Sequence, residues 1–311
     1  MILVTGGAGF IGSNFIDTLI KNTFEEIVVA DCFTYASALG YPYIKNYPIL
    51  IEEIDIGKKK DVEYIFQRYN IKTVFNFAAE SHVDNSINNV DPFLYTNING
   101  TVNLLNSAVQ HKVEKFIQIS TDEVFGDIIE GSFNEQSLIK PSNPYSASKA
   151  AAEHFVWAFA RTHGLSVNVV NCSNNYGPNQ YPEKFIPVVI NKILEGGPVP
   201  VYGQGKQMRD WIFVRDCCEA IYKVYDKGRV GERYCIGGGT EISNFELARK
   251  ISNILGITAN INFVTDRPGH DFRYSIDNSK ISNELGWKPT TSLEKGLRIT
   301  IDRIKQDANW V

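Results

Sequence analysis

The sequence predicts a doubly wound α/β fold, a parallel sheet with helices on both faces, together with a smaller lobe interleaved with it. Three observations carry this expectation. The apolar run Ile2-Leu3-Val4 passes directly into glycines and then into apolar residues at helical spacing. Strand-like and helix-like segments alternate up to about residue 173, the pattern of a parallel sheet with crossover helices. Beyond that point the rhythm gives way to a stretch rich in Asn, Tyr and Pro, followed by shorter elements.

Taken in order, a first strand over 2–4 leads to a helix over 11–19, and a β-rich run over 26–30 is closed by Asp31. Further strands are expected over 48–54, 73–78, 115–120 and 167–171, with helical patterns over 58–69, 92–111 and 145–162 between them. In the second half a helix over 185–194 is broken by Gly196-Gly197-Pro198. A helix over 216–225 precedes a strand over 233–236 that is expected to return to the main sheet. Helices over 244–255, 277–285 and 293–304 complete the chain. The expected division is 1–173 plus about 210–237 for the sheet domain, and 174–209 with 238–311 for the smaller lobe.

Composition narrows the function classes. The chain has 311 residues, 43% hydrophobic and 21% charged, which excludes a disordered, collagen-like or coiled-coil protein. The net charge of -4 offers no basic surplus for nucleic acid or an anionic membrane surface. No run of about 18 apolar residues occurs, and Thr5-Gly6-Gly7 interrupts the first apolar run too early for a signal-peptide core. Five cysteines, Cys32, Cys172, Cys217, Cys218 and Cys235, form no CxxC pair and fit a reduced cytoplasmic protein. Cys217 and Cys218 fall in an apolar helix and read as core. His82 and His270 lack ligand spacing, so no metal site is expected.

The glycines carry the first chemical signal. Gly6, Gly9 and Gly12 lie between the first strand and the first helix, where they allow a tight turn, close helix packing and approach of backbone amides to a pyrophosphate. Asp31 ends the second strand at the distance where a carboxylate binds a ribose 2′-hydroxyl and repels a 2′-phosphate. A Rossmann-type domain binding NAD in preference to NADP is the expectation. The alternative, a glycine turn without a ligand, does not account for Asp31.

Tyr145 and Lys149 share one face at the start of a helix, and an ammonium beside the phenol would stabilise tyrosinate, allowing it to act as a base near neutral pH. Such a pair also occurs on solvated helices. Upstream, Ser120-Thr121-Asp122-Glu123-Val124-Phe125-Gly126 follows a strand. Two carboxylates beside one substrate can serve as acid and base if their environments separate their pKa values. Adjacent strand residues face opposite ways, so Asp122 and Glu123 reach one pocket only if the strand has ended.

The opening Thr5-Gly6-Gly7-Ala8-Gly9-Phe10-Ile11-Gly12 resembles that of extended short-chain dehydrogenase/reductases acting on nucleotide-sugars. The Ser120–Gly126 phrase resembles the signature of the dTDP-glucose 4,6-dehydratases within that superfamily. Phe77-Ala78-Ala79-Glu80-Ser81-His82-Val83-Asp84, Thr96-Asn97, Ser173-Asn174-Asn175-Tyr176-Gly177-Pro178, Pro182-Glu183-Lys184, Gly205-Lys206-Gln207-Met208-Arg209-Asp210-Trp211 and Arg267-Pro268-Gly269-His270-Asp271 resemble further segments of the same family, in the same order.

The resemblance implies NAD-dependent dehydration of a nucleotide-diphosphate-glucose, dTDP-glucose first and UDP-glucose next, to a 4-keto-6-deoxy sugar, as in deoxysugar and rhamnose biosynthesis. It implies Thr121, Asp122, Glu123, Tyr145 and Lys149 as catalytic residues. For the cofactor it implies Gly6, Gly9, Phe10, Ile11, Gly12, Asp31, Thr34, Asp55, Ile56, Ala78, Ala79, Ser81, Thr96 and Asn174 beside Tyr145 and Lys149. For the substrate it implies Ser81, His82, Thr121, Asn174, Glu183, Lys184, Tyr202, Arg209, Asn244, Arg267, His270 and Tyr274. Lys184, Arg209 and Arg267 are suitable donors to a diphosphate. A homodimer paired through the helices over 92–111 and 145–162 is also implied.

Three departures stand out: Cys32 where the family commonly has Lys, Phe125 for a usual Tyr, and a short, dissimilar segment over 36–47. The competing readings are a nucleotide-sugar 4-epimerase or decarboxylase using the same Tyr-Lys pair, and a catalytically silent NAD-binding sensor. An epimerase has no use for the Asp122-Glu123 pair. A sensor has no use for Tyr145, Lys149, Asp122 or Glu123.

Overall fold

A computed structural model describes residues 1–306; the final stretch 307–311 of the expected smaller lobe lies outside the described residues. The first strand β1 (Ile2–Thr5) feeds α1 (Phe10–Asn22), and β2 (Ile27–Asp31) follows. A short helix α2 (Gly40–Ile44) occupies the dissimilar segment before β3 (Leu50–Glu53), α3 (Lys59–Arg68) and β4 (Thr73–Asn76). Next come α4 (Val83–Asn88), α5 (Asp91–Phe93) and α6 (Thr101–Gln110), then β5 (Lys115–Thr121), α7 (Pro144–His163) and β6 (Val167–Cys172).

The continuous helix expected over 92–111 is interrupted. Leu94–Gly100 forms a π-helical segment between α5 and α6. Its Asn97 side chain donates to the Glu80 carbonyl (3.0 Å) and to Ser148 Oγ (2.8 Å), and accepts from the Glu80 amide (2.8 Å). This side chain is tied to two neighbouring elements, so the widened turn is held by tertiary hydrogen bonds that helical periodicity does not register.

Beyond residue 173 the chain forms β7 (Asn174–Tyr176), α8 (Phe185–Leu194), β8 (Pro198–Tyr202), β9 (Met208–Phe213) and α9 (Val214–Lys227). It continues through β10 (Glu232–Ile236), β11 (Glu241–Ser243), α10 (Asn244–Leu255), β12 (Asn260–Val264), α11 (Ser279–Leu285) and α12 (Leu293–Gln306). The strands β7, β8, β9, β11 and β12 have no counterpart in the periodicity of the sequence. They are short and pair in sheets of three (β11-β9-β7) and two (β12-β8) strands. In β8, Pro198 and Pro200 read as breakers, yet this strand has only one neighbour, so their missing N–H groups face no second partner.

The main sheet has the order β3-β2-β1-β4-β5-β6-β10, and every pair is parallel. Ile2 and Val4 point into a core with α1, α9 and α11, whereas Leu3 points into the opposite core with α3, α6 and α7. Burial on both faces accounts for the near-continuous apolar strands. A third core, including Tyr176, Ile190, Val201, Leu247 and Ile301, belongs to the smaller lobe. The strand order reverses between β1 and β4, where parallel sheets open a crevice at their carboxyl ends.

Candidate active site

Two adjoining cavities lie at that end of the sheet. The first, a groove of about 230 Å³, holds Gly6, Gly9, Phe10, Ile11, Gly12, Asp31, Thr34, Asp55, Ile56, Ala78, Ala79, Ser81, Thr96, Tyr145 and Lys149. Gly6 adopts φ +65°, and a Cβ there would sit 2.6 Å from the Ala78 amide nitrogen, so this turn admits only glycine. α1 begins at Gly9 with no side-chain cap and no acidic residue in its first turn, leaving its amides free for an anion. Asp31 accepts from the Ala8 amide (3.0 Å), the Phe33 amide (2.9 Å) and Ser37 Oγ (2.8 Å). Its carboxylate therefore organises the groove wall while lining it. Buried Ser120 Oγ and Gln180 Oε1 line the groove without a hydrogen-bond partner. An uncapped helix start, a fixed carboxylate and unsatisfied polar atoms fit a dinucleotide.

The second cavity, about 330 Å³, gathers Ser81, His82, Glu123, Asn174, Glu183, Lys184, Tyr202, Arg209, Asn244, Arg267 and His270. Ser81, Gln180, Glu183 and Lys184 line both cavities and form their common wall. Residues nearly two hundred positions apart meet here: Arg267 Nη1 lies 3.1 Å from Asp84 Oδ1, and Tyr202 donates to Asp84 Oδ2 at 3.0 Å. Lys184 donates to the Ser81 carbonyl (3.0 Å), and Arg209 is held by the carbonyls of Met208, Asp271 and Phe272. His270 Nδ1 lies 2.6 Å from Asp266 Oδ1. Arg267 Nε and Asn174 Oδ1 are buried and unpartnered.

Of the catalytic candidates, Tyr145 and Lys149 line the groove and Glu123 the cavity beside it, with Thr121 and Asp122 next to Glu123 in the chain. β5 ends at Thr121 and a 3₁₀ turn, Asp122–Phe125, follows at once, which frees the two acids from strand alternation. Thr121 Oγ1 accepts from the Glu123 amide and donates to Asp122 Oδ1, both at 3.2 Å. Asp122 Oδ2 and Glu123 Oε2 are buried with no partner. Burial, then the negative charges of Glu123 and Asp210, hold the Asp122 carboxyl well above the usual carboxylate range. Burial also raises Glu123, but Arg267 and Arg209 oppose it. The environments of the two acids thus differ in the sense that acid and base roles require.

α7 is started by Asn143, which accepts from the Ser146 amide at 2.9 Å in a reciprocal capping box, with Pro144 in its first turn. This cap fixes the position of Tyr145 and Lys149 one turn apart. Lys149 Nζ donates to the Ile119 carbonyl at 2.7 Å, and burial brings its pKa down to about 8.

Four of the expected residues have surroundings that the sequence does not convey. The Tyr145 phenol is not depressed: burial and the nearby Glu123 raise it, with Thr121 opposing. Asn174 lines the second cavity and not the groove, because β7 pairs with β9 of the smaller lobe. Thr121 lines neither cavity, yet its hydroxyl, engaged in the 3₁₀ turn, also meets the Tyr145 phenol. Tyr274 is buried beneath Arg209, 4.3 Å from ring centroid to guanidinium, and donates to Asp271 Oδ2 at 2.5 Å, so it supports the arginine from behind.

Glu80, Asp84, Gln180 and Trp211 line the cavities and were not among the candidates. Glu80 and Asp84 flank Ser81 and His82 within one segment, a cue available in the sequence. Trp211 closes the Gly205–Trp211 segment, a cue of the same kind, whereas Gln180 lies outside every matching segment. Among the described residues no group of His, Cys, Asp or Glu has the geometry of a metal site.

Comparison with known proteins matches residues 3–300 to the GDP-mannose 4,6 dehydratase family. The dTDP-glucose 4,6-dehydratase of Neisseria meningitidis is 44% identical over 99% of this chain and 94% of its own length. The chain belongs to the dTDP-glucose 4,6-dehydratase family. The crystal structure of a double mutant of a family member, DesIV from Streptomyces venezuelae, was solved with NAD bound. It superposes with a TM-score of 0.96 at 39% identity, covering 100% of this chain and 98% of that one. A UDP-glucuronic acid 4-epimerase from Bacillus cereus shares the fold (TM-score 0.93) at 31% identity, covering 98% and 99% of the two chains. Dehydratases of the family are thus nearer in sequence than the epimerase.

Proposed function

We propose that this chain is an NAD-dependent hydro-lyase converting dTDP-glucose to its 4-keto-6-deoxy sugar. The observation that carries the reading is the pair of buried, unpartnered carboxyl oxygens of Asp122 and Glu123 beside Tyr145. When bound, NAD supplies the acceptor for the hydrogen of sugar C4 and returns it at C6. In this reading the groove glycines and the amides at the start of α1 hold its pyrophosphate, Asp31 its ribose, and Lys149 the part nearest the sugar.

Tyr145 removes the proton of the C4 hydroxyl, assisted by the Thr121 hydroxyl beside it and the positive charge of Lys149. The new C4 ketone acidifies the C5 proton, which Glu123 takes and gives back to C5 when the hydrogen returns at C6. Asp122, kept protonated by burial and by Glu123, gives its proton to the C6 oxygen, which leaves as water. Lys184, Arg209 and Arg267 face the diphosphate, with Asn174, Asn244, His82, His270, Glu183, Ser81 and Tyr202 around the rest of the substrate. Tyr274 supports Arg209.

In the same reading 1–173 with about 210–237 carries the cofactor and 174–209 with 238–311 the nucleotide-sugar. A second copy packs on the helices around α5, α6 and α7, where Leu94, Tyr95 and Phe155 are exposed. The five free cysteines and the lack, among the described residues, of a helix able to cross a membrane support a cytoplasmic setting.

The test is to incubate the protein with NAD and dTDP-glucose, or with UDP-glucose, and weigh the product. Loss of one water from dTDP-glucose is expected. Inversion at C4 with unchanged mass would mean epimerisation, and intact substrate with tight NAD binding would mean a sensor; either result overturns the reading.

A further inference from the structure

Behind the catalytic residues lies a buried ionic cluster. Glu153 is on α7, one turn past Lys149, and is fully buried. Its Oε2 lies 2.7 Å from Arg233 Nη2 of β10, and its Oε1 accepts from Asn171 Nδ2 of β6 at 2.7 Å. The same Asn171 amide donates to the Thr121 carbonyl at 2.9 Å, and Asn171 Oδ1 accepts from Arg233 Nη1 at 3.1 Å. Arg233 also lies over the ring of Phe125, in the turn that carries Asp122 and Glu123, at 5.4 Å. One cluster therefore joins α7, β5, β6 and β10 beneath the Tyr145-Lys149 face.

A buried ion pair is expensive to desolvate, and apolar replacement of such a pair is often neutral or stabilising. Fold stability alone is therefore a weak reason for this cluster, whereas its position offers a better one. Lys149 is itself buried and its ammonium reaches the Ile119 carbonyl, a neutral partner. We propose that the Glu153 carboxylate, clamped by Arg233 and Asn171, is a positioning residue that compensates the Lys149 ammonium and fixes the end of β5 at Thr121. It touches neither cavity. Burial lowers Lys149 and the Glu153 charge opposes it; the Cys172 thiol of β6 also adjoins Lys149, but its hydrogen bond with Cys217 and its burial keep it protonated. On its other side Glu153 is faced by Arg233, and Tyr145 precedes Lys149 by one turn on the same helix.

The proposal rests on the reading of Lys149 as part of the proton-transfer machinery. The test measures kcat and KM against pH for Glu153→Gln and Glu153→Asp. It also follows the Lys149 resonance during pH titration of lysine-labelled protein, identified by its loss in Lys149→Met. In Glu153→Gln the Lys149 midpoint and the alkaline limb of kcat are expected to move down by about one pH unit, with KM for the nucleotide-sugar unchanged. Glu153→Asp is expected to restore most of the shift. An unmoved midpoint and limb in Glu153→Gln overturn the proposal. Wild-type kcat in Lys149→Met would instead overturn the role given to Lys149, while the resonance still decides what Glu153 does. Should Glu153→Gln lose its cooperative thermal transition, the double variant Glu153→Gln/Arg233→Gln is read in its place, with a downward shift of the Lys149 midpoint that is smaller because the Arg233 charge is lost as well; an unmoved midpoint there overturns the proposal.

Discussion

The groove and the cavity beside it are built on opposite principles. The groove presents backbone at the glycine turn after β1 and at the start of α1, beside the carboxyl ends of β1, β2 and β4. The cavity is made of charged and polar side chains drawn from residues 81 to 270, many engaged with one another, as Arg267 and Tyr202 are with Asp84. The division also separates the chemistry. Tyr145 and Lys149 line the groove and Glu123 lines the cavity, so in the proposed reaction hydrogen leaves C4 beside the first and water is eliminated beside the second. Backbone suits a constant ligand such as a dinucleotide. Interlocked side chains suit a substrate whose arrival must exchange one set of polar partners for another.

The most severe way to break this division is Tyr145→Phe. It is expected to lower kcat by about 10³-fold, because the first proton transfer fails and elimination never begins. Product mass spectrometry and stopped-flow absorbance of NADH would both show the loss. Glu123→Gln sharpens the comparison: dehydration is expected to fall by about 10²-fold or more while substrate still reduces NAD. Equal loss of both steps would show that the two regions do not divide the reaction.

Arg267→Met alters only the cavity. Loss of one charge-assisted contact is expected to weaken nucleotide-sugar binding by about 1.5–3 kcal/mol, with NAD affinity unchanged, as isothermal titration of each ligand would record. Weakening of both ligands together would place Arg267 in the groove.

The smallest effect concerns stability. The folded-state pKa of Asp122 is raised, so between its unfolded value and that raised value the native state binds more protons, and stability falls as pH rises. Asp122→Asn removes this burden. It is expected to raise stability at neutral pH by about 1 kcal/mol, a gain that shrinks as pH falls from the raised value toward the ordinary carboxylate value and is absent below it, while abolishing most dehydration. Denaturant melts at neutral and acidic pH would check it; a gain that does not vary with pH would refute the sign.

Much of the groove was legible because its parts are neighbours in sequence: a strand, three glycines, a helix and an acid at the next strand end. The same holds for Asp122 and Glu123, where the strand had to stop at Thr121 and does. The cavity was legible residue by residue through the family resemblance, but its construction was not. That Tyr274 lies under Arg209, or that Asn174 belongs to the cavity, depends on the pairing of β7 with β9, which is tertiary.

By itself, then, the sequence determined the alternation that makes a parallel sheet, the glycine turn at its switch point, and the residue types needed to oxidise a sugar and remove water. Local spacing carries these because hydrogen-bonded periodicity and turn geometry are local. The tertiary structure alone decided the electrostatics. Burial raised Tyr145 where an adjacent ammonium was expected to lower it, and set Asp122 apart from Glu123, since desolvation depends on everything packed around a group and not on its neighbours in the chain.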